Sequence, residues 1–396
     1  MRIFRHLLPA LIIILFTSCS GNKDSTDEDT LFIADIEKAK ETEKKAMLST
    51  YAKSISYIPL QTQEVPLIDN ILRIKTDGEI LAIVNFSNDN KNRNILLFDK
   101  NGRYLRQIGA FGRGPGEYYL PYGVEMLPLN NSIIVDDNTG WLHKYDYEGN
   151  FAEKRKIDYF SSPLIKESDS TFLLLKCSEY SRSAHHKAIR FNSSLDSLAA
   201  YIDRSDLIGK RSLLMVYDNA YKVDGKIHLW DNSSDTIFRL DNDTFTPAYY
   251  IKHTQAALSH GERYSGERLE FMNYENVIEN ISTSANVFIW IMHNMERYYY
   301  VFDKNNNQAF RLKEDEDLKY HGLINDIDGG VSFWPQHQLS DKTFYQVLYP
   351  PVTLSGMEQL KEQAERNNIS TDTEFYRLFS KLNENDNPVI MLVELK

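Results

Sequence analysis

From residue 71 onward the chain repeats itself in steps of about 47 residues. The aromatic residues Phe98, Tyr145, Phe191, Phe238 and Phe302 each sit in a short apolar run, and their separations are 47, 46, 47 and 64. Each step holds four such runs separated by Asn, Asp and Gly. The first set reads Ile71–Lys75, Ile80–Phe86, Asn94–Phe98 and Tyr104–Ile108. The second reads Gly123–Leu127, Ser132–Val135, Leu142–Asp146 and Phe151–Lys154. Turn sequences Asp99-Lys100-Asn101-Gly102 and Tyr147-Glu148-Gly149-Asn150 join the last two runs of each set, as hairpins require. A four-stranded antiparallel sheet with two apolar faces cannot bury both alone. Stacking identical sheets around a ring buries them all, so the spacing predicts a β-propeller. A β-sandwich has no reason to keep so constant a step.

The remaining runs fill the ring. Blade three is expected at Leu164–Lys166, Phe172–Lys176, Lys187–Phe191 and Ser197–Ala200. Blade four is expected at Ser212–Val216, Lys226–Trp230, Thr236–Leu240 and Thr246–Tyr250, and blade five at Ile278–Thr283, Val287–Met292, Tyr298–Phe302 and Ala309–Leu312. The longer step before Phe302 places about 17 extra residues in the segment 253–277. Blade six is read from Leu323–Asp326, Thr343–Tyr349 and the terminal run Val389–Leu395. It lacks a fourth strand, and Ser56–Leu60 is the run left over. The expected fold is therefore all-β: a six-bladed propeller over residues 52–396, closed by pairing of its N- and C-terminal strands. Small helical insertions are expected within 353–385, where Met357, Leu360 and Ala364, then Phe375, Leu378, Phe379 and Leu382, recur at helical spacing. Thr371 or Asp372 is positioned to cap the second helix.

The first residues have a different character. Arg2 and Arg5 precede a short apolar stretch from Leu7 to Phe16, too short to favour a membrane span and laid out as a secretory signal. Residues Leu15 to Cys19 read LFTSC, which resembles the lipobox of bacterial lipoproteins. That resemblance implies acylation of Cys19 and loss of residues 1–18. Residues 19–51 are read as an acidic tether, with Asp24, Asp27, Glu28 and Asp29, followed by a short exposed helix from Leu31. Removing the leader takes Arg2 and Arg5 with it and moves the formal net charge from −11 to about −13. With no basic patch, nucleic acid is not an expected partner. The chain has two cysteines, Cys19 and Cys177, and so no disulfide framework.

Blade topology puts the links between blades on the same face as the second-to-third-strand loops. The link Gly109–Pro121 (GAFGRGPGEYYLP), the insertion 253–277 and the helical excursion all fall on that face. Its aromatic and charged residues are the candidate ligand contacts: Arg113, Glu117, Tyr118, Tyr119, Trp141, Tyr180, Arg182, Glu262, Arg263, Arg268 and Trp334. No catalytic set emerges. The glycines of the link follow a strand without opening a helix, so they do not form a nucleotide loop. His185 and His186 are adjacent and would point apart in a strand. No cofactor is expected; the places where Ca²⁺ could meet the chain are two acidic turns, Asp136-Asp137-Asn138 and Asp326 to Gly330.

The stretch Leu97–Pro121, with its LFD, IG and GPGEY elements, resembles the inter-blade linker of six-bladed β-propeller lipoproteins of Bacteroidota, which are related to NHL-repeat propellers. YIPLQT (57–62), NDIDGG (325–330), FWP (333–335) and the terminal NPVIMLVELK are similar to further marks of that family. The resemblance covers residues 52–396. It implies a six-bladed ring; together with the leader and the acidic tether, the expected protein is a monomeric outer-membrane lipoprotein, facing the periplasm or the cell surface, that binds a glycan, peptide or envelope protein. It supplies no established catalytic residues. Related rings also include metal-dependent hydrolases and lyases built on repeated inward histidines, which this chain does not show. A purely structural role in the envelope is the third expectation.

Overall fold

The computed structural model describes residues 31–62, 66–87, 93–137, 139–157, 161–176, 186–203, 220–230, 235–254, 257, 274–313 and 321–396. Cys19, Asn138, Cys177, Tyr180, Arg182, His185, Glu262, Arg263 and Arg268 lie outside them.

Six antiparallel sheets of four strands form the ring. Blade one is Ile71–Thr76, Ile80–Asn85, Asn94–Asp99 and Tyr104–Ile108. Its two middle strands are apolar at nearly every position because both of their faces are buried. Leu81, Ile83, Leu96 and Phe98 pack toward blade six, with Tyr345 and Ile390. Ala82, Val84, Ile95 and Leu97 pack toward blade two, with Val124, Ile133 and Tyr145. The alternation of strand side chains therefore feeds two interfaces at once. The recurring aromatics do what their spacing predicts: Phe98, Tyr145, Phe191 and Phe302 are buried between blades. Phe238 is only half-buried.

The glycine of the first blade's turn also has a cause. Gly102 has φ +83°, and a Cβ there would lie 2.1 Å from the carbonyl oxygen of Pro59. The hairpin turn of blade one rests directly on the last strand of its neighbour, a fit open only to glycine.

Closure occurs as predicted. Val389–Leu395 pairs on one side with Thr343–Leu348 and on the other with Ala52–Pro59, in register from Val389 opposite Pro59 to Leu395 opposite Ala52. The ring thus has no free blade end.

Two inner strands differ from expectation. In blade four the inner strand is Ala220–Val223, joined by a tight turn to Lys226–Trp230; the expected Ser212–Val216 lies outside the described residues. In blade six the inner strand is only His337–Gln338. Leu323 makes a single bridge to Phe333, and Ile324 bridges Met47. The helical excursion holds three helices, not two: Pro350–Ser355, Met357–Arg366 and Glu374–Phe379. The first opens on Pro350 and Pro351, whose fixed φ suits a first turn. The third has Thr373 at its N-cap with no side-chain cap bond.

The largest departure is in residues 32–51, which are not a loosely held helix. Phe32–Asp35 adds a parallel strand to the outer edge of blade four, and Glu43–Lys44 does the same for blade five. Between them a single helical turn, Ile36–Lys40, buries Ile36 and Ala39 completely. Lys252–Asp35 and Lys40–Glu275 ion pairs, both 2.7 Å, and the Ser49 amide donating to Asp326 Oδ1 at 2.8 Å fasten this strap to three successive blades. The strap covers backbone donors that an edge strand otherwise leaves open. Among the described residues no helix is long and apolar enough to cross a membrane.

Candidate functional site

The conspicuous link between blades one and two is occupied with holding itself together. Tyr118 is fully buried; its hydroxyl accepts from the Ile95 amide at 3.0 Å and donates to the Ile108 carbonyl at 2.6 Å. Burial pushes its ionisation far above the ordinary tyrosine value. Gly109 has φ +61°, and a Cβ there would meet the Tyr118 ring at 2.6 Å. The Glu117 carboxylate accepts from the Gly114 amide at 2.7 Å and occupies the space a Cβ on Gly112 would need. Tyr118 and Glu117 are thus corrected from ligand contacts to the pin and latch of the link.

Two candidates of this link, Arg113 and Tyr119, remain near the surface. Tyr119 and Phe111 are 38% and 40% exposed, their ring centroids lie 5.3 Å apart, and Arg113 sits 5.3 Å over the Tyr119 ring. Trp141 is half-buried beneath Lys154, 4.9 Å from its centroid. Trp334 is another correction: it is buried against Tyr299 and Phe288, with centroids 4.7 and 5.6 Å away. It belongs to the interface between blades five and six.

The acidic turn is likewise internal. Asp137 is buried; one oxygen accepts from the amides of Thr139 and Trp141 at 2.9 and 3.2 Å, and the other faces His143 Nε2 at 3.1 Å. Among the described residues no three His, Cys, Asp or Glu side chains converge as a metal donor set.

The cavity with room for a ligand is elsewhere, in the central channel. It measures about 510 Å³, and the inner strands of all six blades line it. Blade one contributes Arg73, Lys75 and the turn Asp77-Gly78; blade two, Glu125; blade three, Lys166. Blade four contributes Lys222; blade five, Glu279; and blade six, Gln336 to Asp341. That volume suits a small organic ligand. None of the sequence candidates among the described residues lies in its wall.

Its geometry follows from the inner strands having a free edge. Gln338 uses its side-chain amide as a peptide surrogate: Oε1 accepts from the Lys222 amide and Nε2 donates to the Lys222 carbonyl, both at 2.7 Å. The channel-facing backbone of blade four is thereby satisfied from blade six. The turn of blade six also crosses over, with Asp341 Oδ2 accepting from the Gly225 amide at 2.9 Å.

Charge is distributed unevenly. Lys75 Nζ pairs with Glu125 Oε2 at 3.0 Å and donates to the Leu164 carbonyl at 3.1 Å. The same Glu125 oxygen accepts from the Lys166 amide at 2.8 Å. Burial pulls the Lys222 ammonium below the ordinary lysine value, against the attraction of Glu125. Glu279 receives hydrogen bonds from the Trp290 indole at 3.2 Å and from Gln336, yet burial still pushes it up to about 7. Burial, with help from Arg73, pushes His337 down to about 4; neutral at pH 7, it stacks on Tyr345 at 5.2 Å.

The domain of unknown function DUF4934 matches residues 31–394, almost the whole described chain. The chain belongs to the DUF4934 family. This DUF4934 chain is similar in fold to a Bacteroides fragilis NCTC 9343 protein provisionally described as exported, with TM-score 0.66 and 19% identity over 92% of this chain and 99% of the other. A DUF4221 member from Bacteroides vulgatus ATCC 8482 aligns over 87% and 97% of the two chains at TM-score 0.47 and 11% identity. No curated protein matches the DUF4934 sequence.

The channel is not visible in the sequence because its signal is spread thinly, one or two charged residues per blade. Lys75, Glu125, Lys166, Lys222 and Glu279 are each a charged residue within an inner-strand run that is otherwise largely apolar. Aligning the inner strands by register, not searching for compact motifs, brings them together.

Proposed function

We propose that this DUF4934 chain is an exported, lipid-anchored binding module of the cell envelope whose ligand sits in the central channel. The carrying observation is the cavity of about 510 Å³ walled by residues from every blade. A wall assembled from six sheets is held by the whole ring, so its polar groups are pre-positioned for a ligand. The leader, with its LFTSC element, supports export and acylation at Cys19, since two or more acyl chains give stable membrane attachment. The envelope setting and the NHL-like relationship rest on the family resemblance. Glycans and peptides are the ligand classes to examine first. The alternative, a metal-dependent hydrolase or lyase, draws what support it has from Glu279, a carboxyl poised near neutral pH within the same cavity.

The test is calorimetric screening of glycan and peptide sets against the mature protein and against Ala220→Trp, which fills the channel from its wall. A saturable binder lost in the variant, with an unchanged urea melt, is the expected result. A binder indifferent to the filled channel would move the site elsewhere. Metal-dependent turnover would favour the enzyme. Mass spectrometry of the mature protein should find acyl groups on Cys19; an unmodified amino terminus ends the lipoprotein reading.

A further inference from the structure

We infer that the channel is built to take a carboxylate-bearing ligand, with the acid group seated on Lys222. This deepens the binding reading and rests on it.

Four cations line the cavity: Arg73, Lys75, Lys166 and Lys222. Three donate at least one side-chain hydrogen bond within the protein. Lys75 is held by Glu125 and the Leu164 carbonyl. Lys166 Nζ pairs with Asp169 at 3.3 Å. Arg73 Nε donates to the Tyr122 carbonyl at 3.2 Å. Lys222 alone of the four forms no ion pair or side-chain hydrogen bond among the described residues, although it stands in the wall of a polar cavity.

The carboxylates nearby do not neutralise it at contact. Glu125 is committed to Lys75 and to the amides of Lys166 and Met126. Asp77 accepts from the amides of Glu79 and Ile80 at its own turn. Asp341 reaches across to Gly225. The fourth, Glu279, is held partly protonated at neutral pH by its burial.

Lys222 is also fixed in place. Gln338 grips its amide and its carbonyl together, so the Cα cannot move off the channel wall. A desolvated ammonium on a rigid backbone gains more from an incoming carboxylate than a solvated surface lysine does. The neutral polar groups Thr76, Gln336 and Ser340 line the same space and would serve the hydroxyls or amides of the rest of the ligand.

Two small acids share this chemistry, and the experiment separates them. Digalacturonate and its dimethyl ester would be titrated calorimetrically beside a tripeptide with a free and with an amidated carboxyl terminus. At least one free acid should bind about 10-fold or more tightly than its neutral partner, since one good charge-assisted contact is worth that much. Lys222→Met should erase the difference between acid and neutral partner while leaving the urea melt unchanged. Lys222→Arg should keep most of the preference. Which acid prevails names the source. If neutral and acidic forms bind alike, the carboxylate assignment fails while the channel remains a binding site. If none of the four probes binds at millimolar concentration, the assignment fails as well; the Ala220→Trp screen then decides separately whether the channel binds anything.

Discussion

The link at 109–121 and the central channel make opposite use of the same kinds of residue. In the link, a tyrosine, a glutamate and four glycines are packed into a few positions, and each is satisfied by its neighbours. In the channel, lysines and glutamates arrive singly from different blades, and one of the lysines, Lys222, is left without a carboxylate in contact among the described residues. The dense motif is therefore spent on its own turn, and the dispersed set lines the cavity proposed as the binding site. A sequence compresses what must be locally precise, such as a turn. It distributes what must be surrounded on all sides, such as a ligand.

That contrast is open to direct attack. The largest effect is expected from Lys75→Met, which strands the buried Glu125 without its partner. It should cost about 4 kcal/mol in a urea melt, and a loss under 1 kcal/mol would mean that Glu125 does not depend on the pair. Next comes a pH effect at Glu279. Its folded value of about 7 lies above the ordinary 4.5, so the folded state binds the proton more tightly. Its contribution is full below pH about 4.5, lost as pH rises to about 7, and flat beyond. Compared with Glu279→Gln, the wild type should lose about 3 kcal/mol across that window; parallel profiles would show that the carboxyl is not buried as described.

Two link variants complete the comparison. Gly109→Ala forces a side chain into a left-handed backbone and against Tyr118. It should destabilise by about 2 kcal/mol and leave channel binding unchanged once folded. Tyr118→Phe should cost about 1.5 kcal/mol by stranding the Ile95 amide. A link variant that folded normally but lost ligand affinity would return the link to the site.

What could be read from the sequence follows the same division. The blades were legible because their middle strands are buried on both faces and so are written as unbroken apolar runs such as ILAIVN and NILLFD. The closing strand was legible by elimination, since a ring of four-stranded sheets has no place for a gap. The inner strands of blades four and six were misplaced because they are short: four residues and two. The second of these relies on a side-chain amide to do the work of a strand. Strap residues 32–51 looked like a helix because alternating Glu and Lys mask two brief parallel pairings whose partners lie far along the chain. Trp334 and Tyr118 illustrate the remaining difficulty. An aromatic residue near a loop has the same letter whether it faces a ligand or plugs an interface, and only the packing distinguishes them.

The strap and the closing strand also set a timetable. Phe32 pairs with Tyr249, Glu43 with Arg311 and Pro59 with Val389, separations of 217, 268 and 330 residues. A chain synthesised from its amino end must carry this segment unsatisfied until almost everything else has been made. Contacts so distant in sequence form slowly, because the loop they close is long. Until the last seven-residue strand arrives, the circle stays open, and the walls of the channel are not yet locked against one another.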